Sequence, residues 1–194
     1  MNKEKIHEYI DEQIKSTLSL KENYEVFEKI FNVLKNARDK GKQVFVMGNG
    51  GSASTASHFV ADLLKTSITQ ENKRFKAISL SDNIPVLLAW SNDELYDNIF
   101  SNQLENFLEK DDIVIGISGS GNSKNVLNAI QLANEKHTTT IGLNGKGGGK
   151  LSEMVKINLT VKSDDMLTIE TIHLLICHLL TTMIRSDGTP KFNY

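Results

Sequence analysis

The stretch DDIVIGISGSGNSKNVLNAIQLANEK, at residues 111–136, has the strand, turn and helix order that decides the fold. Residues 111–118 are rich in β-branched side chains, residues 119–123 are glycine, serine and asparagine, and residues 124–136 return to helical apolar spacing. The same order occurs earlier in the chain, with a strand at 42–47, the turn GNGGS at 48–52 and a helix at 53–64. Two such units predict parallel strands that are joined by crossover helices.

The remaining periodic segments extend this pattern. Apolar residues at three- and four-residue steps predict two amphipathic helices within residues 2–40, and residues 166–184 indicate a long apolar closing helix. Further strands are predicted at residues 75–80, 138–144 and 156–161. Strands that alternate with helices indicate a doubly wound α/β fold, in which helices flank both faces of a parallel sheet in a flavodoxin-like three-layer αβα arrangement.

The chain is expected to form one domain. Its 194 residues lie within the usual size of a single domain, and no linker or internal repeat divides them. We expect helices at residues 1–40, an α/β core at residues 41–184 and a polar tail at residues 185–194.

Composition and charge exclude several classes of function. With 24 acidic and 22 basic residues, the chain has no overall field that would attract nucleic acid or an anionic membrane. The single cysteine, Cys177, excludes an intrachain disulfide, and the N-terminus lacks the features of a signal peptide. No apolar stretch is expected to reach the ~20 residues of a membrane span. We therefore expect a soluble, cytoplasmic protein whose partner is a small molecule, with no nucleic acid and no membrane.

The two glycine and serine turns are candidate anion sites. In an open parallel sheet, ligands bind beyond the carboxyl ends of the strands, where loops lead into helix N-termini. Glycine lets the backbone approach an oxyanion, exposed N–H groups favour negative charge, and serine hydroxyls add neutral donors. Neither turn matches a P-loop or the GxGxxG dinucleotide motif. The alternative is that residues 48–52 and 118–123 are only helix caps and turns.

Two helices carry candidate metal ligands. His58 and Asp62 are four positions apart on the helix that follows the first turn, so their side chains share one face. This pair could hold a metal or share a proton, although an exposed ion pair has the same spacing. On the last helix, Glu170 and His178 are eight residues apart, which places them ~80° apart around the axis and ~12 Å apart along it. One ion cannot easily take both from one helix, so symmetry-related copies would have to contribute.

The last helix also carries two residues for which a structural role is expected. His173 lies in a strongly apolar run and is interpreted as a histidine whose hydrogen bonds are satisfied within the core. Cys177 is expected to be a small buried hydrophobic residue rather than a nucleophile.

Five stretches together closely resemble the sugar isomerase (SIS) domain: GNGGSASTASHFVADL, SNDELYDNIF, GISGSGNSKNVLNAI, GLNGKGGGKL and IETIHLLICH. More narrowly, they are similar to bacterial phosphoheptose isomerases, which interconvert sedoheptulose 7-phosphate and D-glycero-D-manno-heptose 7-phosphate through an enediol or enediolate. The resemblance implies an SIS-type fold, an aldose–ketose isomerase and a homotetramer whose sites form between subunits.

The resemblance also implies roles for individual residues. Asp62 or Glu170 would be the catalytic base, and His178 the acid. Zinc would be held by His58, Asp62, Glu170 and His178. Contacts with the sugar and its phosphate are implied for Asn49, Gly50, Gly51, Ser52, Asn92, Asp93, Ser118, Gly119, Ser120 and Ser123.

This sequence departs from the family pattern at four positions. The family's glutamate is Asp62 here, its glutamine in the last helix is Glu170, its threonine between the phosphate serines is Gly119, and an aspartate is replaced by Leu167. We hypothesise that Glu170 compensates for the shorter Asp62.

Three alternative functions remain open at this point. The first is the same chemistry on another sugar phosphate, such as a hexulose phosphate or an amino sugar phosphate. The second is a non-catalytic SIS scaffold that binds the replication initiator protein, but that relative lacks counterparts of Asp62 and His178, so an enzyme is favoured. The third is a sugar-phosphate-sensing regulator, which would need a DNA-binding domain that residues 1–40 do not resemble.

Overall fold

A parallel sheet forms the centre of the molecule in the computed structural model, which describes residues 3–193. The strand order is β2-β1-β3-β4-β5, and every neighbouring pair runs parallel. All five predicted strands are confirmed, and so is the doubly wound α/β class. The strands are β1 (Gln43–Gly48), β2 (Lys76–Ser79), β3 (Ile113–Ser118), β4 (Thr139–Asn144) and β5 (Ile157–Thr160).

Helices connect and cover the strands. They are α1 (Lys3–Ser19), α2 (Tyr24–Lys40), α3 (Gly51–Ala61), α4 (Ile84–Asp93), α5 (Ser101–Glu105), α6 (Lys124–Glu135), α7 (Gly149–Met154) and α8 (Met166–Arg185). The helices predicted within residues 2–40, 53–64, 124–136 and 166–184 are confirmed over the residues that the structure describes. The sequence interpretation missed α4, α5 and α7. For α4 the start signals were present, because Asn83 caps it by accepting from Val86 N and Pro85 lies in its first turn.

The strands divide their side chains between two cores. Val44 and Val46 of β1 pack on one face with α2, α3 and α8, whereas Phe45 and Met47 pack on the other with α5 and α6. Successive strand residues point to opposite faces, so a strand that is covered on both sides is apolar throughout. This explains why residues 43–47 show no polar alternation.

Helix α8 corrects one expectation. It is long and apolar enough, by length and composition alone, to cross a membrane, so the statement that no apolar stretch reaches that length is wrong. Half of its most apolar window is buried inside the protein, where it packs against α1, α2 and α3. Core helices of soluble proteins meet the same criterion, and the contacts of α8 are those of a core helix.

The two ends of the chain differ in how they are covered. The apolar residues of α1, Ile6, Ile10, Ile14 and Leu18, are each about half exposed rather than packed in the core. The C-terminal tail, in contrast, is bound to α2, because Asp187 accepts hydrogen bonds from Lys35 and from the buried Arg38. Beyond it, Lys191 N donates to Ile68 O at 2.9 Å and Gln70 N donates to Thr189 O at 2.9 Å. The predicted polar tail is thus bound along the segment that follows α3.

Candidate active site

The two predicted turns lie side by side at the carboxyl edge of the sheet. Strands β1 and β3 are neighbours, with Gly48 paired to Ile117, and the strand order reverses between them. We call residues 48–52 the first turn and residues 118–123 the second turn. Ligands of open α/β sheets bind at such a switch point, where two adjacent loops diverge.

The first turn is tight. A side chain on Gly48 would come within 2.6 Å of Ser52 Cβ, and Gly50 has a φ of +55°, which favours glycine. Ser52 N and Ala53 N donate back to Asn49 O and Gly50 O, each at 3.0 Å. The chain therefore turns directly into the N-terminus of α3.

The second turn presents hydroxyl groups. Ser118 Oγ and Ser123 Oγ lie 2.9 Å apart, and Asn122 N donates to Ser120 Oγ at 3.2 Å. Hydroxyls can donate to phosphate oxygens without adding charge. Gly119 is buried, and a side chain there would collide with Met166 Sδ. Glycine stands here where the family has threonine, and Met166 fills the space that the threonine side chain would need.

A third glycine segment, residues 145–149, braces the second turn. Gly145 N donates to Gly119 O at 3.1 Å, and Leu151 N donates to Gly121 O at 2.9 Å. Lys146, Gly147, Gly148 and Gly149 all have positive φ. We did not assign this segment to the site from the sequence, although the run GKGGGK was visible as a glycine-rich turn after a predicted strand.

Three side chains converge between α3 and α8: His58, Asp62 and His178. His178 Nε2 lies 3.1 Å from His58 Nε2, and Asp62 Oδ2 lies 3.8 Å from both. Asp62 begins a π-helical turn, Asp62–Thr66, in which Ser67 N donates to Asp62 O at 2.8 Å. Turns of this kind are frequent at functional sites. The structure therefore confirms that His58 and Asp62 share one face, and it brings three of the four predicted metal ligands, His58, Asp62 and His178, together.

This cluster fits a zinc ion. One donor atom from each of the three residues lies within 4.8 Å of the others, and two imidazole nitrogens with a carboxylate oxygen are ligands that zinc prefers. The Asp62 carboxylate is 12% exposed and the two histidines about half exposed, so solvent or a substrate can reach a fourth position.

Glu170 occupies a different position. A side chain on Gly51 would collide with the Glu170 carboxylate, so this group lies against the first turn at the N-terminal end of α3. It is half-buried and is not part of the histidine cluster of the same chain. This separation agrees with the helix spacing, and its role as a metal ligand stays a prediction.

Asn92 and Asp93 lie on the exposed end of α4, where Asn92 Nδ2 donates to Asp93 Oδ1 at 2.8 Å. A tyrosine shortly after them reaches the first turn, because Tyr96 OH donates to Asn49 Oδ1 at 2.8 Å. Asn49 also pairs with Asn125 at the start of α6. We did not assign Tyr96 or Asn125 to the site from the sequence, since nothing in the local pattern shows a contact across 47 or 76 positions.

The two buried residues of α8 behave differently from each other. Within residues 3–193 neither ring nitrogen of His173 makes a hydrogen bond of normal geometry, and only a weaker interaction with the backbone of Asn144 remains, so the expectation of a satisfied histidine is met only in part. Burial lowers the pKa of His173 to about 4, and the backbone of Asn144 opposes this only in part. Burial, together with the Asp62 charge, raises the pKa of the Cys177 thiol far above its ordinary value. Cys177 is thus confirmed as a buried, unreactive side chain.

Comparison with known proteins agrees with this geometry. A family model described as the SIS domain matches residues 8–145. The phosphoheptose isomerase of Geotalea daltonii is 40% identical over 155 residues, which cover 80% of each chain. Solved phosphoheptose isomerases from Neisseria gonorrhoeae and Francisella tularensis give TM-scores of 0.89 and 0.90 at 28% and 29% identity. They cover 96% of this chain, which covers 100% and 99% of theirs. The chain therefore belongs to the phosphoheptose isomerase family of SIS-domain proteins.

Proposed function

We propose that the protein interconverts sedoheptulose 7-phosphate and D-glycero-D-manno-heptose 7-phosphate. The observation that carries this proposal is that the chain holds both a His58–Asp62–His178 cluster, on α3 and α8, and two adjacent hydroxyl- and glycine-rich turns, the first of which leads into α3. Such a site offers groups that bind a phosphate and groups that transfer a proton, and family membership supports the seven-carbon sugar. An aldose–ketose isomerisation needs the groups that transfer a proton, and a phosphorylated substrate needs the groups that bind its phosphate.

The second turn is the proposed phosphate site. Ser118, Ser120 and Ser123 supply hydroxyl donors, and the N-terminus of α6 adds its dipole and backbone N–H groups. This site needs no lysine or arginine, which suits a chain with a slight excess of acidic residues. The backbone of the first turn, with Asn49 and Ser52, would contact the same phosphate from the other side and the sugar beyond it.

Two carboxylates are candidates for the base, and their positions separate them. Asp62 lies between two histidines, whereas the Glu170 carboxylate lies against the first turn. We assign Glu170 as the base that removes the carbon-bound proton, and His178 of another copy of the chain as the acid near the substrate oxygens, because the two residues lie ~12 Å apart along one helix. This assignment develops the hypothesis that Glu170 compensates for the shorter Asp62.

Zinc is the proposed cofactor. His58, Asp62 and His178 would hold it, and Glu170 would complete the ligand set only from another copy of the chain. When bound, zinc polarises the substrate carbonyl and stabilises developing charge on its oxygen.

A homotetramer with sites between subunits is the proposed assembly. The exposed apolar face of α1 supports it, as does an apolar surface cavity of about 560 Å³. This cavity is lined by Thr17, Leu20, Lys21, Tyr24, Phe27, Leu175, Leu179 and Met183. Exposed apolar surface of this kind marks contacts between proteins. Light scattering of the purified protein would give the mass of one chain if this proposal is wrong. A cytoplasmic location stays a prediction.

The test of function is interconversion of sedoheptulose 7-phosphate, followed by NMR with and without added zinc. His178→Ala should abolish product formation, whereas His137→Ala, at an exposed residue between α6 and β4, should retain the wild-type rate. If His178→Ala forms product as fast as wild type, the assignment of the site is wrong. Absence of product under every condition would favour another sugar phosphate, and a panel of such sugars would identify it.

A further inference from the structure

The amide of Asn125 has one orientation, which the main chain determines. Val126 N donates to Asn125 Oδ1 at 2.9 Å. Because a backbone N–H can only donate, the atom that it meets must be the carbonyl oxygen, and the other side-chain atom is the amide nitrogen. Asn125 is only 2% exposed, so solvent offers little competition for these bonds.

The orientation of Asn125 determines that of Asn49. Asn125 Nδ2 donates to Asn49 Oδ1 at 2.9 Å, and Asn49 Nδ2 donates to Asn125 Oδ1 at 2.9 Å. Tyr96 OH donates to the same Asn49 Oδ1 at 2.8 Å. Both lone pairs of Oδ1 are therefore used, as is one of the two amide hydrogens. Of the four hydrogen-bonding capacities of the Asn49 side chain, one N–H remains.

We propose that Asn125 and Tyr96 are positioning residues that make Asn49 a hydrogen-bond donor to an oxygen of the phosphorylated substrate. The inference rests on the proposed function, since it takes the substrate to be bound at the first turn. An asparagine that is free to rotate could present its oxygen instead, which would repel a phosphate. The pair with Asn125 prevents that rotation before the substrate arrives.

The same bonds connect three parts of the site. Asn125 lies directly after the second turn, Asn49 lies in the first, and Tyr96 follows α4, which carries Asn92 and Asp93. The helical turn Tyr96–Asn98 is itself held on α6, because Asn128 Nδ2 donates to Asp97 O at 3.0 Å. Tyr96 therefore also ties the exposed end of α4 to the first turn.

Tyr96→Phe removes only the hydroxyl and is the primary test. We expect KM for sedoheptulose 7-phosphate to rise about threefold to tenfold, the effect of one neutral hydrogen bond, with kcat and the melting temperature close to wild type. Tyr9→Phe, at a residue that is 43% exposed, is the matched control and should leave KM unchanged. Inorganic phosphate should inhibit Tyr96→Phe more weakly, by the same factor as the change in KM.

Asn125→Asp is the second test, because it replaces the amide donor by an acceptor. The new carboxylate oxygen would face Asn49 Oδ1 where the amide now donates, so the orientation of Asn49 is no longer fixed and KM should rise more than tenfold. Asn134→Asp controls for the loss of an amide donor on the same helix, since Asn134 Nδ2 donates to Met154 O at 2.8 Å, away from both turns. It should lower stability without altering the affinity for phosphate.

The outcomes separate this proposal from the proposed function. Wild-type values of KM and of phosphate inhibition in both Tyr96→Phe and Asn125→Asp would overturn it. If the wild type does not isomerise the sugar, the proposed function fails. Calorimetric titration with inorganic phosphate then decides the positioning role by itself: equal affinity in wild type and both variants, or no binding to wild type, would overturn it.

Discussion

The first and second turns follow adjacent strands and resemble each other in sequence, but they are held in different ways. The first is surrounded by side chains, namely Asn125, Tyr96, Glu170 and Ser81. The second is packed against the backbone of residues 145–149. Side chains can adjust by rotation, whereas two packed backbones cannot. The comparison indicates that the second turn is rigid, whereas side chains around the first turn can be changed without moving its backbone.

Gly121→Ala should have the largest effect on stability. A methyl group there would lie 1.9 Å from the carbonyl oxygen of Gly148, and the φ of Gly121 is +64°. Both backbones would have to move, so we expect a loss of at least about 3 kcal/mol in the free energy of unfolding, measured by denaturant titration.

Gly147→Ala is the matched control for backbone conformation. Its φ is +75°, but nothing lies within 4 Å of the added methyl group. Gly147→Ala should lower the free energy of unfolding by about 1 kcal/mol, which is the penalty for a left-handed backbone conformation alone. Equal losses in the two variants would mean that packing between the second turn and residues 145–149 is not what holds the second turn.

A second prediction concerns acid and the buried histidine under the end of β4. Its pKa of about 4 lies below the ordinary value of 6.5, so the unfolded chain binds a proton at higher pH than the folded one. Stability contributed by neutral His173 is complete above pH 6.5 and is lost as pH falls towards 4, by about 3 kcal/mol in total.

Denaturant titrations between pH 7 and pH 4 would measure this loss. His173→Leu should flatten the dependence over that interval, whatever its own cost in packing. His7→Gln is the control for removal of an exposed histidine. A variant at His173 with the wild-type slope would show that other groups cause the acid sensitivity. Since β4 leads into residues 145–149, acid should loosen the support of the second turn before the side-chain contacts of the first.

How much the sequence predicts differs between the two turns for a physical reason. Strand and helix periodicity, and the glycine and serine content of both turns, are local properties, so the sheet and the turns were predicted correctly. The contacts that support the turns are long-range: Tyr96 to Asn49, Asn125 to Asn49, and residues 145–149 to residues 118–123. Local patterns cannot show such pairs. The incomplete hydrogen bonding of His173 was missed for the same reason, since the hydrogen-bond partners of a buried side chain depend on three-dimensional packing.

Glu170→Gln tests whether a side chain beside the first turn can alter turnover without altering stability. If Glu170 is the base, turnover should fall about 100-fold, with a change in stability of less than about 1 kcal/mol. Glutamine is isosteric, so contacts with Gly51 are retained and only the proton acceptor is lost. Unchanged turnover would remove the hypothesis that Glu170 compensates for Asp62.

Gly51→Ala tests the same contact from the other side. The added methyl group would meet only the end of the flexible Glu170 side chain, which can rotate away. We expect a loss of activity of about tenfold or more with a loss of stability below about 1 kcal/mol, because the carboxylate is displaced but no backbone moves. Combined with Glu170→Gln, the two effects should not add, as expected for two changes at one contact.

The smallest expected effect is at Ser81, whose hydroxyl joins the first turn to the end of β2. Ser81 Oγ donates to Gly48 O at 3.0 Å, and Gly48 N lies 3.4 Å from the same oxygen. Ser81→Ala should cost about 1 kcal/mol, the usual value of a single hydrogen bond, whereas Ser54→Ala on the exposed face of α3 should cost a few tenths. A loss at Ser81 as large as that at Gly121 would show that one side chain can hold the first turn as firmly as packed backbone holds the second. Each hydrogen bond around the first turn contributes about 1 kcal/mol, and three of them together hold Asn49 in one orientation.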